Sequence, residues 1–195
     1  MILKTGRQLL IAGLLLMFFF IEVNHCEAAA QYKRSIEKYN VPDLTLVNQD
    51  GKRVNLKEYL NSGKPVILDF IYATCTTICP VLSIGFSHFQ KKLGPESEKV
   101  QLVSISIDPD NDTPAAMKEY LQKYNAQDGW DFFTGNRDDI ITVMKAFDSY
   151  VINKMNHYPV TILRAPGKDE WVRINELLAT SDLMHEYKLL LKKSD

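Results

Sequence analysis

The sequence has few cysteines, little net charge and modest glycine and proline content, and each shortage excludes a class of protein. Three cysteines among 195 residues are too few for a small disulfide-bonded scaffold. Lys and Arg total 23 against 24 Asp and Glu, and the resulting net charge of −1 argues against nucleic acid as a partner. Nine glycines and eight prolines exclude collagen-like and proline-rich low-complexity chains. With 46% hydrophobic residues, the composition is that of one globular domain with a short appendage.

The first 30 residues have the composition of an export signal. Two cations precede an apolar run of 13 residues, Leu9 to Ile21, and this run is shorter than the roughly 17–25 residues of a membrane-spanning helix. Ala28 to Ala30 supply the small residues of a cleavage site. We therefore predict a signal peptide over residues 1–30 and one exported domain over residues 31–195, located in the periplasm. An uncleaved anchor, which would hold the domain at the outer face of the inner membrane, is the alternative.

Removal of the signal leaves a single pair of cysteines in the mature chain. Cys26 is lost with the signal, and the bulky, polar His25 before it argues against a lipidation site. Cys75 and Cys79 remain, and an exported pair meets oxidising conditions.

Strand-like and helix-like patterns alternate along the mature chain. The predicted elements are a polar arm over Gln31 to Val41, a hairpin over Asp43 to Leu56, a buried strand over Pro65 to Tyr72, a helix over Pro80 to Leu93, a second buried strand over Val100 to Ile107, a helix opened by Thr113-Pro114, a short strand, a helix over Arg137 to Phe147, a strand pair over Val160 to Arg164 and Trp171 to Ile174, and a helix over Ser181 to Leu191. Such alternation requires right-handed crossovers and a parallel centre. The fold class is α/β with a thioredoxin-like fold, in which helices flank a central mixed sheet preceded by an N-terminal β-hairpin.

We expect the functional site between the first buried strand and the helix that follows it, because the sites of open α/β sheets form beyond the carboxyl ends of strands. Cys75 and Cys79 stand at that junction, followed by Pro80. On one helical turn their Cβ atoms would lie about 5–6 Å apart, which suits either a disulfide or two thiolates on one metal ion. The helix N-terminus lowers thiol pKa values and favours thiolates. Two small buried apolar side chains are the alternative without chemistry.

A third ligand would separate a metal site from a simple redox pair. His88 and His185 are expected on helix surfaces, away from the cysteines. His157 precedes a late strand, and in a thioredoxin-like fold the loop entering that strand lies over the cysteine turn. Two thiolates and one imidazole form a soft donor set that favours Cu(I) and also accepts Cu(II). Structural zinc usually has four protein ligands, and the sequence offers no evident fourth Cys or His.

Two aspartates lie in the segment after the second buried strand. Asp112 is most simply a helix cap together with Thr113, and Asp108 with Pro109 makes a strand-end turn. A direct or water-mediated role at the copper site is the alternative for both carboxylates.

Three motifs resemble those of the Sco/SenC family of copper-binding, thioredoxin-like proteins, over about residues 41 to 193. The family's Cys-x-x-x-Cys-Pro stands as Cys75 to Pro80, its Ser-Ile-Asp-Pro-x-x-Asp-Thr as Ser106 to Thr113, and its distal histidine as His157. The segment Met155 to Pro159 differs from the Val-Asp-His common in the family.

The resemblance implies a copper chaperone for the binuclear copper centre of cytochrome c oxidase subunit II. One copper per chain, Cu(I) or Cu(II), would bind to Cys75, Cys79 and His157 in the dithiol form only. Subunit II, or another copper-receiving protein, and a thiol-disulfide reductant are the implied partners. A thiol-disulfide oxidoreductase or peroxide-handling enzyme without a metal is one alternative function, and a copper-responsive or redox-sensing module is another.

Overall fold

An eight-stranded mixed sheet forms the centre of residues 32–192, the part of the chain that the computed structural model describes. Its strands are β1 (Arg34–Lys38), β2 (Thr45–Asn48), β3 (Arg53–Asn55), β4 (Val66–Ile71), β5 (Gln101–Ser106), β6 (Trp130–Thr134), β7 (Thr161–Arg164) and β8 (Glu170–Ile174). The helices are α1 (Leu56–Leu60), α2 (Cys79–Leu93), α3 (Pro114–Lys123), α4 (Arg137–Ala146) and α5 (Thr180–Lys192), with 3-10 turns at Gly94–Lys99 and Lys154–Asn156. The predicted signal segment over residues 1–30 lies outside the described residues and stays a prediction.

The strand order is β1-β8-β7-β4-β5-β6-β2-β3, which confirms the predicted thioredoxin-like α/β class. Strand β4 pairs in parallel with β5 and antiparallel with β7. The antiparallel ladder between β4 and β7 ends at Asp69 opposite Thr161. The chain that leaves β4 toward the cysteines therefore runs beside the chain that enters β7 from His157.

Both faces of β4 are buried because helices cover both faces of the sheet. Ile67 and Ile71 point into one apolar cluster with residues of α2, α3 and α5. Leu68 and Phe70 point into a second cluster with residues of α1 and α4. This alternation is the two-residue period of a strand, and it explains why the strand reads in the sequence as a continuous apolar run.

Two elements differ from the sequence-based expectation. The residues predicted as part of a polar arm contain strand β1, which pairs with β8 from Arg34 opposite Ile174 to Lys38 opposite Glu170. The side chains of β1 are mostly exposed, so the strand is stabilised by its backbone hydrogen bonds. Its sequence therefore lacks the alternation of apolar and polar residues by which a strand is recognised, and charged residues are typical of such edge strands. Helix α1 was also not predicted, because at five residues it is too short for a periodic pattern. Its N-cap is Asn55, whose side chain accepts a hydrogen bond from the backbone N–H of Glu58.

Asp69 is a buried carboxyl group in the middle of β4. The side chain is fully buried, and neither carboxyl oxygen has a hydrogen-bond partner among the described residues. Burial raises the pKa of Asp69 to about 7. A buried polar group without a partner is costly, so this residue lowers the stability of the domain.

We predict that Asp69→Asn stabilises the domain at neutral pH and removes part of its pH dependence. Between about pH 4 and pH 7 the carboxyl is protonated in the folded protein and ionised in the unfolded chain, so the free energy of unfolding falls as pH rises. At about 1.4 kcal/mol per pKa unit the full effect is on the order of 4 kcal/mol. Urea denaturation from pH 4.5 to pH 7.5 measures it. The exposed Asp128→Asn variant should keep the wild-type slope, and an unchanged slope in Asp69→Asn would contradict the prediction.

Candidate metal centre

The cysteine turn connects the end of β4 to the start of α2. Cys75 lies in the loop before the helix, where its backbone N–H donates to the carbonyl of Tyr72 at 3.1 Å, and Cys79 is the first residue of α2. The spacing of the cysteines had suggested that both lie on one helical turn. In the structure only Cys79 belongs to the helix. Pro80 has no N–H to donate to the carbonyl of Thr76, which favours a helix that starts here rather than earlier.

His157 reaches the cysteine pair from the loop before β7. Its Nε2 atom lies 3.2 Å from the Sγ atom of Cys79 and 3.8 Å from that of Cys75. Nδ1 lies 2.7 Å from the carbonyl oxygen of Lys154. Because a carbonyl only accepts, Nδ1 carries the proton and Nε2 presents its lone pair to the sulfurs.

The three side chains form a donor set suited to a soft metal ion. Their ligand atoms all lie within 4.8 Å of one another. Burial lowers the pKa of His157, against the opposing effect of its hydrogen bond to Lys154, so the ring is held in the neutral form that binds metals. Both cysteines are free thiols in this structure, and thiolate with imidazole is a chemistry that copper accepts in both oxidation states.

The two thiols differ in acidity. Burial acts to raise the pKa of Cys75, but hydrogen bonds from the Cys79 side chain and from Thr77 outweigh it and lower the pKa to about 7. Burial raises the pKa of Cys79 well above its usual value, as do its hydrogen bond with Cys75 and the nearby charge of Asp69. The expectation that the helix N-terminus favours thiolates therefore fails for Cys79, which is fully buried. Near neutral pH the reduced pair carries its negative charge on Cys75.

Tyr72 forms one wall of the site and was missed by the sequence analysis, which assigned it to a buried strand. Its ring stands edge-on to that of His157, with centroids 5.2 Å apart. Its hydroxyl donates to the Sδ atom of Met155 at 3.5 Å. Burial and the nearby charge of Cys75 raise the pKa of Tyr72 to about 12. The only indication in the sequence was a tyrosine at the end of an apolar run. Such a tyrosine is equally typical of a core residue and of a residue in a functional site.

Asp112 does not cap a helix, contrary to the expectation. Thr113 alone is the N-cap of α3, and its side chain accepts from the N–H of Ala116. Asp112 instead accepts from the backbone N–H of Ala73 at 3.1 Å and from the hydroxyl of Ser106 at 2.5 Å. The buried carboxylate thus ties the cysteine loop to the end of β5.

Asp108 forms the strand-end turn that was expected. Its carbonyl oxygen accepts from the backbone N–H groups of Asn111 and Asp112, both at 3.0 Å. Its carboxylate pairs with the ammonium group of Lys154, which also lies 5.1 Å from the centre of the Tyr72 ring. This ion pair fastens the turn after β5 to the 3-10 turn that precedes His157.

Arg173 of β8 holds the loop that carries His157. Its guanidinium donates to the carbonyl oxygens of Phe147 at 2.6 Å and Asp148 at 3.0 Å, and it lies 3.2 Å from the hydroxyl of Tyr158. Tyr158 in turn donates to the carbonyl of Asp148 at 3.0 Å. The residue next to His157 is therefore anchored to the sheet by side-chain hydrogen bonds.

The other two histidines of the described chain lie on helices. His88 is exposed on α2 and His185 is half-buried on α5. Over the same described residues, none of the helices has the length and apolar character needed to cross a membrane.

Comparison with known proteins agrees with the motifs. The SCO1/SenC family profile matches residues 33–163. The SCO1 protein homolog of Bacillus subtilis (strain 168) is 35% identical over 145 residues, which are 73% of this chain and 71% of that protein. BsSco, a member of the Sco family of cytochrome c oxidase assembly proteins in which a disulfide switch has been identified, has a TM-score of 0.66 and 30% identity, covering 80% of this chain and 95% of that one. Arabidopsis thaliana ScoI with copper bound has a TM-score of 0.68 and 25% identity, covering 78% of this chain and 98% of that one. The chain belongs to the SCO1/SenC family.

Proposed function

We propose that the protein is an exported copper chaperone that assists assembly of the binuclear copper centre of cytochrome c oxidase subunit II. The observation that carries the proposal is the convergence of Cys75, Cys79 and the unprotonated Nε2 of His157. Copper is the cargo in this proposal rather than a resident cofactor. The copper-bound relative and the relative described as an oxidase assembly protein support it.

The unequal thiols set the order in which the ligands act. With a pKa of about 7, Cys75 is partly ionised at neutral pH and presents the first thiolate to an arriving ion. Cys79 loses its proton when the ion binds, because a metal competes with the proton for the thiolate. His157 supplies a neutral nitrogen and needs no such loss. If the two thiolates passed two electrons to a disulfide of another protein, they would form the Cys75–Cys79 disulfide, the other protein would become a dithiol, and the cargo would lose both sulfur ligands.

We predict that reduced protein binds about one Cu(I) per chain and that disulfide-oxidised protein binds essentially none, because thiolate and not disulfide is the ligand. Copper content is measured after gel filtration of both forms under anaerobic conditions. Cys79→Ser should lose the copper even when reduced. Equal copper content in the oxidised and reduced wild type would contradict the proposal.

We predict that His157→Ala weakens Cu(II) binding by at least about tenfold, equivalent to about 1.4 kcal/mol, and weakens Cu(I) binding less, because the two thiolates suffice for the softer ion. Charge-transfer absorption and competition with chelators give the two affinities. His88→Ala and His185→Ala are the matched controls, since neither side chain lies near the sulfurs. The ligand assignment fails if one of these controls loses copper while His157→Ala keeps it.

A thiol-disulfide oxidoreductase without a physiological metal is the second candidate. The observation that favours it is the difference in acidity between the thiols. The Cys75 thiolate would attack a target disulfide, form a mixed disulfide and release one target thiolate; Cys79 would then attack the Cys75 sulfur, form the Cys75–Cys79 disulfide and release the second target thiolate. His157 distinguishes the two functions, because copper binding would use its imidazole and thiol-disulfide exchange would not. Exchange turnover that His157→Ala leaves unchanged, in protein that retains no copper when reduced, would favour this second function.

Export would bring the domain to the compartment of the proposed target. We propose export because the apolar run of residues 9–21 is followed by the small residues Ala28 to Ala30. We predict that the exported protein begins at Gln31. Intact-mass measurement on protein recovered from the periplasmic fraction tests this. A mass that includes residues 1–30, found in the membrane fraction, would support the uncleaved anchor instead.

A further inference from the structure

Beside the proposed copper site lies a thioether that the ligand set does not use. Met155 stands two residues before His157 in the 3-10 turn Lys154–Asn156, and 66% of its surface is exposed. Its Sδ atom accepts a hydrogen bond from the hydroxyl of Tyr72 at 3.5 Å. That tyrosine also contacts the ring of His157, with centroids 5.2 Å apart. The Met155 sulfur is thus linked to the imidazole of the site through a single side chain.

The sulfur atoms differ in their access to solvent. Cys79 is fully buried and Cys75 is 5% exposed, so of the two residues only Cys75 presents surface to another protein, and only a small area. His157 is half-buried, whereas Met155 is exposed. A soft ligand at the surface would speed the transfer of an ion between this site and another molecule. The ion could then exchange its ligands one at a time and would never have to be free of ligands. Thioether sulfur is such a ligand for Cu(I).

The surroundings of Met155 allow this role. Asn153 accepts from the backbone N–H of Met155 at 3.0 Å and holds the turn, while the unbranched side chain has three rotatable bonds. The neighbouring cation, Lys154, is paired with Asp108 and so presents less repulsion to an arriving ion. A thioether sulfur has two lone pairs, so Sδ can accept from Tyr72 and still bind an ion.

We propose that Met155 is a rim ligand for Cu(I), through which the ion enters and leaves the site formed by Cys75, Cys79 and His157. This inference rests on the proposed copper-binding function. Met155 would bind the ion transiently, and the equilibrium affinity would remain that of the inner three ligands. Cu(II), which prefers nitrogen and oxygen ligands, would not use it.

The test combines a spectroscopic probe with transfer kinetics. In protein labelled with 13C at the methionine methyl groups, Ag(I) serves as a diamagnetic substitute for Cu(I). The methyl signal of Met155, assigned by its loss in Met155→Leu, should shift on addition of Ag(I), while those of the buried Met117 and Met144 should not. Transfer of Cu(I) from the loaded protein to bicinchoninate, followed by stopped flow, should be at least about tenfold slower in Met155→Leu. Copper content and Cu(II) retention should be unchanged.

A control variant tests whether Met155 acts through its sulfur, as a ligand, or only as apolar surface that contacts the acceptor. Ile152 is 94% exposed in the same loop, and Ile152→Ala removes apolar surface without removing sulfur, whereas Met155→Leu keeps apolar surface. Wild-type transfer by Ile152→Ala supports the rim ligand. An unshifted Met155 methyl signal, or transfer by Met155→Leu at the wild-type rate, overturns it. Reduced wild-type protein that takes up no Cu(I) would instead refute the proposed function itself.

Discussion

The pairing of β4 with a parallel strand on one side and an antiparallel strand on the other is the constraint on which the site depends. The parallel ladder brings the end of β5, and with it Asp108 and Asp112, to the edge where β4 ends. The antiparallel ladder brings the beginning of β7 to the same edge. Three segments that are far apart in the sequence therefore meet there, and none of them needs regular structure of its own. A slip of one residue between β4 and β7 would turn the side chains of one strand to the other face of the sheet.

Much of this fold could be predicted because its central strands are buried on both faces and its helices are amphipathic. The predicted bounds of the strands around Leu68 and Val103 and of the helix after Cys79 agree with the structure within about two residues. Strand β1 could not be found from its composition, because an edge strand is held by main-chain hydrogen bonds and its side chains are free to be polar. The local sequence pattern predicts which residues are buried, but it does not predict which distant backbone segments pair with one another.

The same distinction holds at the site. The cysteine junction follows from a local motif, and the position of His157 follows from the topology of the fold. The difference in acidity between Cys75 and Cys79 depends on how deeply each thiol is buried and on partners such as Thr77 and Asp69, which no spacing rule gives. The role of Asp112 was mistaken for the same reason. A residue beside a helix start suggests a cap, whereas here its carboxylate bonds across the sheet to Ala73.

The anchoring of the histidine loop by Arg173 has a consequence for the thermodynamics of loading. In metal sites assembled only when the ion arrives, part of the binding energy is spent on ordering the chain, and loss of the metal unfolds the site. Here Phe147, Asp148 and Tyr158 are held by the guanidinium, so the folding of the domain itself orders this loop. An ion that binds at His157 then has less ordering of the chain to oppose its binding. Preorganisation of this kind strengthens the binding of a ligand without adding any contact to it.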